Sequence, residues 1–304
     1  MTRTVIPFDE GEACLDWIGL TEAIAQGHEK SRAQVKDVFL YEGDNTLLNR
    51  SAWSAEMGLA VKCATVFPGN PAKGKPMIGG AVNLFSAEDG ALEAIVDFHL
   101  VTKWKTAGDS LLAARRLARP DSRRILIVGA GTVGHSLRQA YGAAFPMADF
   151  VVWNRSREGA ERFVDAFPDV EIAEDLAAAV AEADIVTSAT MSTEPLIKGE
   201  WFRPGQHIDL IGAYRPDMRE ADDSAMRRAR IFVDSRDTTI EHIGELKIPI
   251  SAGAIGVEDV VADFYDLAHF RRQSETEITL FKNGGGAHLD LMVSRYILEA
   301  WRNG

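Results

Sequence analysis

Two kinds of residue in this 304-residue chain could support chemistry: a glycine-rich turn and a few isolated cations. The turn reads Gly129-Ala130-Gly131-Thr132-Val133-Gly134 and fits the pattern G-x-G-x-x-G. In this pattern the first glycine permits a tight turn, the second lets backbone approach a pyrophosphate, and the third lets a helix pack closely on a strand. The N-terminus of the following helix would offer free N–H groups and a partial positive charge to phosphates.

The segments around the turn decide how much the pattern means. The apolar run Ile125–Val128 enters the turn, a helix-like segment follows it, and a second apolar run covers Phe150–Trp153. Strand, turn, helix and strand in this order form the context in which the glycine pattern indicates dinucleotide binding. The alternative is a turn that needs glycines only for its shape. The sequence therefore predicts a site for a nicotinamide dinucleotide, with Thr187 and Ala189, near the end of a later strand, beside the nicotinamide.

The end of the second strand bears on which dinucleotide is bound. NAD-specific sites usually place Asp or Glu there, to bind the ribose hydroxyls. Here the strand ends in Trp153-Asn154-Arg155-Ser156-Arg157, and arginine with serine and asparagine suits an adenosine 2′-phosphate. The alternative is a solvated loop in which Ser156 is a helix N-cap. We expect NADPH to be favoured, with NADH as the competing cofactor.

Three cations stand out because each lies in an otherwise apolar or strand-like context: Arg50, Lys62 and Lys105. A nicotinamide supplies only a hydride, so the protein has to orient the substrate and manage charge and protons. In an acidic protein, a few local cations could bind a substrate carboxylate. For Lys62, within LAVKCATV, the alternative is a lysine on the solvated face of a sheet.

Composition narrows the class of protein. The chain is 46% hydrophobic and 26% charged, which is ordinary for a globular protein without membrane spans, and its net charge of −12 argues against a nucleic-acid partner. No signal-peptide-like or membrane-spanning apolar run is present, so a cytoplasmic location is expected. Cys14 and Cys63 are too few for a disulfide framework, and the seven histidines lack metal-ligand spacing, so no metal site is predicted.

The order of predicted elements indicates an α/β fold with a Rossmann-type, doubly wound parallel sheet and a smaller α+β domain. Residues 1–118 are predicted to form the smaller domain, completed by residues 281–304, and residues 119–280 the dinucleotide-binding domain. The amphipathic segment from Asp290 would return to the first domain. In the second domain six strands are predicted: Ile125–Val128, Phe150–Trp153, Val170–Ala173, Asp184–Ala189, His207–Ala213 and Ile231–Asp234.

Several further motifs, in order along nearly the whole chain, resemble the ornithine cyclodeaminase/μ-crystallin family. Besides the glycine turn, the motifs are Leu48–Arg50, Gly58–Lys62, Val66–Pro71, Leu100–Ala107, Leu117–Ser122, Arg215–Glu220 and Phe281–Gly286. The resemblance implies a homodimer with a Rossmann domain and a substrate domain. It also implies that Arg50 binds the substrate carboxylate and that Lys62 lies beside the reacting carbon and nitrogen, as a proton donor or electrostatic partner.

The chain departs from the family pattern at two places. The second carboxylate-binding cation is usually arginine in R-T-A, but here it is Lys105 in Lys105-Thr106-Ala107, which keeps the charge and loses the bidentate fork. Cyclodeaminases carry an aspartate in the loop after the Gly212 strand, where this chain has Tyr214. A neutral phenol cannot act as a carboxylate base at neutral pH. Simple imine reduction is therefore favoured over cyclodeamination.

Together these observations predict NAD(P)H-dependent reduction of a 2-imino acid, such as Δ1-pyrroline-2-carboxylate or another ketimine, to an L-amino acid. Three alternatives stay open. The first is an ornithine cyclodeaminase, which forms proline and ammonia without net redox change. The second is an alanine dehydrogenase or iminosuccinate reductase, and the third is a non-catalytic NADPH-dependent ligand binder. The expected partner is a small imino or amino acid that carries a carboxylate.

Overall fold

The structure, a computed structural model, describes residues 4–304, which form two compact units. One unit takes the residues up to Lys105 together with Gly286–Gly304, and the other takes Thr106–Gly285. The sequence placed the junctions at 118–119 and 280–281. The first division lies instead inside a long helix, and the second follows residue 285 because residues 279–282 form a strand of the second unit's sheet.

The first unit is built on a six-stranded sheet with the order β1-β6-β5-β4-β3-β2, antiparallel except for the pair β1–β6. The elements up to the long helix are β1 (Thr4–Ile6), α1 (Phe8–Glu12), α2 (Trp17–Glu29), β2 (Gln34–Glu42), β3 (Asn45–Ser54), β4 (Gly58–Val66), β5 (Ile78–Phe85), β6 (Leu92–Asp97) and α3 (Phe98–Leu117).

Local sequence explains part of this sheet. The segment Glu88–Gly90 has the composition of a tight turn: Gly90 has a φ of +70°, and β5 and β6 pair as antiparallel neighbours on either side of it. Strands β2 and β3 were not predicted. Every residue of β2 is exposed in the single chain, and its sequence, QVKDVFLYE, lacks the regular alternation of apolar and polar residues that marks a half-buried strand.

The second unit contains an eight-stranded, all-parallel sheet with the order β13-β12-β14-β11-β10-β7-β8-β9. Its elements are β7 (Arg124–Val128), α4 (Thr132–Ala144), β8 (Asp149–Trp153), α5 (Arg157–Ala166), β9 (Glu171–Ile172), α6 (Leu176–Glu182), β10 (Ile185–Ser188), β11 (His207–Leu210), α7 (Asp223–Arg228), β12 (Arg230–Val233), α8 (Arg236–Thr239), α9 (Gly244–Ser251), β13 (Val260–Ala262) and β14 (Thr279–Lys282).

The predicted doubly wound sheet is confirmed, with two strands more than the six expected. Strand β14 inserts between β11 and β12, and β13 forms the edge. At β7 the chain order reverses, since β8 lies on one side of it and β10 on the other. In sheets of this kind the ligand crevice lies outside the carboxyl ends of the strands at such a reversal.

The chain ends in α10 (Ala287–Asn303), which packs against α2, β3 and β4 of the first unit. The amphipathic tail expected to return to the first domain is thus confirmed. None of the ten α-helices in the described part of the chain is both long and apolar enough to cross a membrane. The cytoplasmic location stays a prediction from the sequence.

Candidate active site

A row of charged side chains crosses three neighbouring strands of the first unit. Asp37 on β2 pairs in register with Arg50 on β3, and Arg50 pairs in register with Lys62 on β4. Side chains of residues directly opposite each other in a sheet lie on the same face and interact. Strand register, which no local sequence pattern specifies here, therefore brings two of the three predicted site cations together.

Arg50, in the middle of this row, is anchored by Asp37 on the edge strand. Its Nε donates to Asp37 Oδ1 at 3.1 Å and Oδ2 at 3.0 Å, and its Nη2 donates to Oδ2 at 2.7 Å. Burial would lower the pKa of Arg50, but these hydrogen bonds and the charge of Asp37 raise it. The guanidinium is thus held in one orientation, and its Nη1 edge makes no hydrogen bond to any residue of 4–304.

Lys62 lies on the buried face of β4, between Ala60 and Ala64, with only 5% of its surface exposed. The solvated-face interpretation of this lysine is therefore wrong. Its Nζ donates to Thr102 Oγ1 at 2.8 Å and to Asp290 Oδ1 at 3.0 Å, and it lies 4.6 Å from the centroid of the Phe98 ring. A lysine buried in this way needs partners for its donors, and α3 and α10 supply them.

The third cation, Lys105 on α3, is also buried and reaches the same carboxylate oxygen of Asp290 at 3.5 Å. We call Arg50, Lys62 and Lys105 the cation cluster. Its three positive charges face two carboxylates, Asp37 and Asp290, so the cluster and these two carboxylates together carry a net charge of +1. A site with this surplus is electrostatically matched to one substrate carboxylate.

The titration of the cluster differs from that of ordinary side chains. Burial lowers the pKa of Lys62 to about 8; Asp290 opposes this shift, and Lys105 and Arg50 add to it. Burial by itself would raise the pKa of Asp290, but Lys105, Lys62 and Arg50 hold it below its usual value. Near neutral pH, Lys62 is therefore protonated but able to give up its proton far more readily than a solvated lysine.

In the second unit, the glycine turn has the geometry expected for a phosphate-binding loop. Gly129 has a φ of +107°, and a Cβ there would lie 2.8 Å from the carbonyl oxygen of Ala189. A Cβ on Gly134 would lie 2.2 Å from the carbonyl oxygen of Gly129, which explains the close packing of α4 on β7. A Cβ on Gly131 would meet no atom within 4 Å, so open space faces the backbone where α4 begins with its unsatisfied N–H groups.

The turn borders a cleft of about 470 Å³, which we call the glycine cleft. Of the residues predicted to bind cofactor, five line it: Gly129, Gly131, Asn154, Arg155 and Ala189. The cleft is completed by residues that the sequence did not single out, namely Ala130, Trp153, Thr190, Met191, Ser192, Glu194, Pro195 and Leu196. The segment from 190 to 196 carries no local motif, so only its position after β10 could have indicated it.

Asn154 and Ser156 form one local network at the end of β8. Asn154 Oδ1 accepts from the Ala130 N–H at 3.1 Å, and its Nδ2 donates to the carbonyl and hydroxyl oxygens of Ser156 at 3.0 and 3.2 Å. Ser156 Oγ in turn accepts from Gly159 N and caps α5. The N-cap interpretation of Ser156 is thus the one observed, while Arg155 stays exposed at the cleft.

Besides Ser156, four predicted cofactor residues do not line the cleft. Thr132, Val133 and Gly134 form the first turn of α4. Thr187 is completely buried in β10, where its hydroxyl donates to Asp209 Oδ2 at 2.7 Å. Asp209 also accepts from Tyr141 and Ser110, and burial raises its pKa to about 6. Thr187 therefore belongs to a buried polar network on the central strands β10 and β11.

A second carboxylate, Glu220, ties together the two loops that follow β10 and β11. Its Oε1 accepts from Ser188 Oγ at 2.6 Å and from the N–H and hydroxyl of Thr190, each at 2.7 Å. Its Oε2 accepts from Gly212 N at 2.6 Å. Glu245 accepts from the Glu220 N–H at 2.7 Å, and burial raises the pKa of Glu245 to about 7. Glu220 thus fixes the loop that contributes Thr190 to the glycine cleft.

The most important site residue that sequence reasoning missed is Asp290, which was noted only as the start of an amphipathic segment. One signal could have revealed it. Asp290 occupies the buried stripe of α10 with Ala287, Ser294 and Ile297, at helical spacing. A carboxylate at a core position of a helix needs a cationic partner.

Two further sequence-based features lie outside these groups. Tyr214, at the position where cyclodeaminases have an aspartate, is 58% exposed, and its neighbours Arg215 and Asp217 form an ion pair at 2.9 Å. Among residues 4–304, no group of three or more His, Cys, Asp or Glu side chains is arranged to hold a metal ion.

A doubly wound sheet with a glycine turn at its reversal, in one chain with a buried cation cluster, defines a dinucleotide-binding protein with a site for a small anion. The chain belongs to the ornithine cyclodeaminase/mu-crystallin family, whose sequence model matches residues 24–304. The resemblance found in its motifs is thereby confirmed.

Individual relatives agree with this assignment. The chain is 52% identical over 300 residues to a Delta(1)-pyrroline-2-carboxylate reductase of Paracoccus denitrificans (strain Pd 1222), covering 96% of this chain and 95% of that protein. It is 34% identical over 253 residues to the ketimine reductase mu-crystallin of Mus musculus, covering 83% of this chain and 79% of that protein. A solved archaeal alanine dehydrogenase dimer with bound NAD superposes with a TM-score of 0.89 at 28% identity, covering 100% of this chain and 97% of that one.

Proposed function

We propose that this protein is an NAD(P)H-dependent oxidoreductase that reduces the C=N bond of a 2-imino acid to give an L-amino acid. The observation that carries the proposal is the cation cluster with its two carboxylate partners, Asp37 and Asp290, and with the buried Lys62 among them. The two relatives above, named as a pyrroline-2-carboxylate reductase and a ketimine reductase, support the same reaction class. Δ1-Pyrroline-2-carboxylate is accordingly the first substrate to test.

The residues present fit a nicotinamide dinucleotide. The open space at Gly131 and the free N–H groups of the first turn of α4 suit a pyrophosphate, and the glycine cleft continues past Asn154 and Arg155 for the adenosine half. The bound cofactor would supply a hydride to the imine carbon. All other requirements of the reaction, which are orientation, charge balance and one proton, fall to the protein.

Substrate orientation falls to Arg50 and Lys105. Arg50 is held by Asp37 through Nε and one Nη2 bond, which leaves its Nη1 edge for a carboxylate. Lys105 supplies a second positive charge from α3, without the planar fork that arginine would offer. A single carboxylate bound to this pair neutralises the net charge of +1 that the cluster carries together with Asp37 and Asp290.

The proton falls to Lys62. When hydride adds to the imine carbon, the two electrons of the C=N π bond move to nitrogen, and nitrogen takes up one proton. Lys62 carries that proton near neutral pH, and its lowered pKa of about 8 brings it close to the operating pH, where general acids are most effective. Bulk water then reprotonates Lys62 before the next turnover.

We propose NADPH as the preferred cofactor. No carboxylate lies at the end of β8 to bind the ribose hydroxyls, and Arg155 is exposed at the cleft with no ion pair to any residue the structure describes. A guanidinium in this place suits a 2′-phosphate.

We also propose that the functional form is a homodimer that associates through β2 and the adjacent strand β3. Strand β2 lies at the edge of the sheet, so the backbone N–H and C=O groups along its outer side have no partner strand in the described part of the single chain. The exposed apolar side chains here are Val38, Phe39, Leu40 and Tyr41 of β2, and Trp53 on β3 is 57% exposed. An exposed, apolar edge strand of this length is a site for association. Light scattering would give twice the mass of the chain for the wild type and the mass of the chain for Leu40→Lys.

One assay separates the proposed reaction from its rivals. Oxidation of NADPH and NADH is followed with Δ1-pyrroline-2-carboxylate, with other cyclic ketimines, with pyruvate plus ammonia, and with ornithine alone. We expect NADPH oxidation with a cyclic ketimine. Proline from ornithine without added reductant would instead identify a cyclodeaminase, activity only with linear imines would identify an alanine dehydrogenase or iminosuccinate reductase, and ligand binding without turnover would identify a carrier.

A further inference from the structure

Asp290 is the only carboxylate among the described residues that contacts both lysines of the cation cluster. Its Oδ1 lies 3.0 Å from Lys62 Nζ and 3.5 Å from Lys105 Nζ, and the side chain is 1% exposed. The contact joins β4 and α3 to the first turn of α10, across 228 residues of sequence between Lys62 and Asp290. The carboxylate is therefore placed by the fold at the junction of three elements.

The way Asp290 is bonded argues against a role in stability alone. Its Oδ2 is buried without a hydrogen-bond partner among the residues of 4–304. A carboxylate retained only to stabilise the fold would be expected to use both oxygens, since an unsatisfied buried polar atom is destabilising. Position in the first turn of α10 favours its charged form.

We propose that Asp290 is the positioning residue of the cation cluster: its buried carboxylate holds the ammonium groups of Lys62 and Lys105 side by side and keeps Lys62 protonated between turnovers. This inference rests on the proposed role of Lys62 as proton donor. In this role Asp290 does not touch the substrate. Its effect is exerted through Lys62.

The charged and titratable groups around Lys62 are few. Arg50 faces it from β3 and Lys105 from α3, and both disfavour its proton, while Asp290 from α10 favours it. His288 on α10 and His28 on α2 lie nearby, and burial lowers their pKa values to about 3 and about 4, so both are neutral near pH 7 and above. The strand on the other side of β4 places Val82 opposite Lys62. Removing Asp290 thus leaves only cations to act on Lys62.

The test compares Asp290→Asn with the wild type through two readouts. The first is the pH profile of kcat/KM for the reduction of Δ1-pyrroline-2-carboxylate with NADPH. The second is an NMR titration of the full protein labelled with ¹³C at the lysine ε-carbon, with the Lys62 signal assigned by its loss in Lys62→Arg. We expect the midpoint of Lys62 to fall by about 1–3 pH units in Asp290→Asn, because an opposite charge at this distance shifts a pKa by that amount.

A charge-balanced double variant guards against a general structural effect. In Asp290→Asn with Lys105→Gln, one cation that lowers the pKa of Lys62 is removed together with the carboxylate, so the midpoint of Lys62 should move back up by about one pH unit. Loss of packing alone would not produce such a return. The matched control Asp37→Asn removes the other carboxylate of the row, and it should raise the KM for the substrate without moving the Lys62 midpoint.

The two readouts distinguish the two proposals. An unmoved Lys62 midpoint in the NMR titration of Asp290→Asn would overturn the role of Asp290, whatever the activity. A shifted midpoint in a protein that reduces no ketimine would support Asp290 as the positioning residue and reject the proposed reaction. If Asp290→Asn does not fold, the double variant Asp290→Asn with Lys105→Gln is compared with the single variant Lys105→Gln. The Lys62 midpoint should be lower in the double variant than in the single variant. An equal midpoint in both would overturn the inference.

Discussion

Replacement of Lys62 by methionine gives the sharpest test of the chemistry, because this side chain is buried and its neighbours are known. Methionine fills a similar volume and removes both the charge and the proton. A positioned general acid contributes roughly 10²- to 10⁴-fold to the rate, so kcat for ketimine reduction should fall by about that factor. The Kd for NADPH, measured by fluorescence titration, should stay within about twofold, because Lys62 does not belong to the unit that contains the glycine cleft.

The same substitution has a stability cost that the assay must allow for. Removal of one partner of a buried ion pair usually costs about 3–5 kcal/mol. Here Lys105 still faces Asp290 at 3.5 Å, so we expect about 2–3 kcal/mol. Activity is therefore measured well below the midpoint of thermal unfolding, which is determined for each variant.

A second variant and the pH profile complete the test. Lys62→Arg keeps the positive charge but cannot release a proton, so it should lose kcat to a similar extent while retaining more affinity for the substrate carboxylate. In the wild type the proton-donating form is lost as pH rises, so kcat/KM, which reports the pKa of the free enzyme, should decline tenfold per pH unit above about 8, the pKa of Lys62. A Lys62→Met enzyme with wild-type kcat, or a flat wild-type profile up to pH 10, would refute the assignment of Lys62 as proton donor.

Three further predictions concern the other parts of the site. Arg50→Met should raise the KM for Δ1-pyrroline-2-carboxylate about 10- to 100-fold in steady-state assays, because a charged hydrogen bond is worth roughly 1.5–3 kcal/mol; an unchanged KM would contradict its role in carboxylate binding. Arg155→Glu should lower the ratio of kcat/KM for NADPH to that for NADH by at least about tenfold, and an unaltered ratio would leave the cofactor preference without its proposed cause. Glu220→Gln should weaken NADPH binding about tenfold in equilibrium titrations, because the amide places a donor against groups that already donate. Glu245→Gln is the control, since Glu245 is one carboxylate further from the cleft. An equal loss of NADPH affinity in both variants would indicate a general effect on the fold.

The features that could be predicted from the sequence are those encoded within a few consecutive residues. The glycine turn is one example, because the positive φ at Gly129 and the close contact of Gly134 with the preceding carbonyl leave no other residue type without strain. The parallel sheet is another, because buried strands appear as apolar runs separated by helical segments. The family itself could be recognised because its motifs occur in order along the chain, and the match over residues 24–304 confirms it.

Register and insertion could not be read from the sequence. Strand β14 is short and lies between β11 and β12, both of which precede it in the chain, so nothing near residues 279–282 indicates which neighbours they will join. Strand β2 is likewise exposed in the single chain and lacks a buried face that would reveal it. Which strands pair with each other depends on contacts between segments that are distant in the sequence.

The sequence was thus sufficient to predict which cations belong to the site, but not whether they are buried or how their pKa values are shifted. Lys62 would be an ordinary surface lysine if β4 presented its other face, since a shift of one residue in register exchanges the two faces of a strand. Its lowered pKa arises from burial, and its proton is retained through a carboxylate 228 residues further along the chain. Coulomb interactions depend on distance in space and on the surrounding dielectric, and folding sets both.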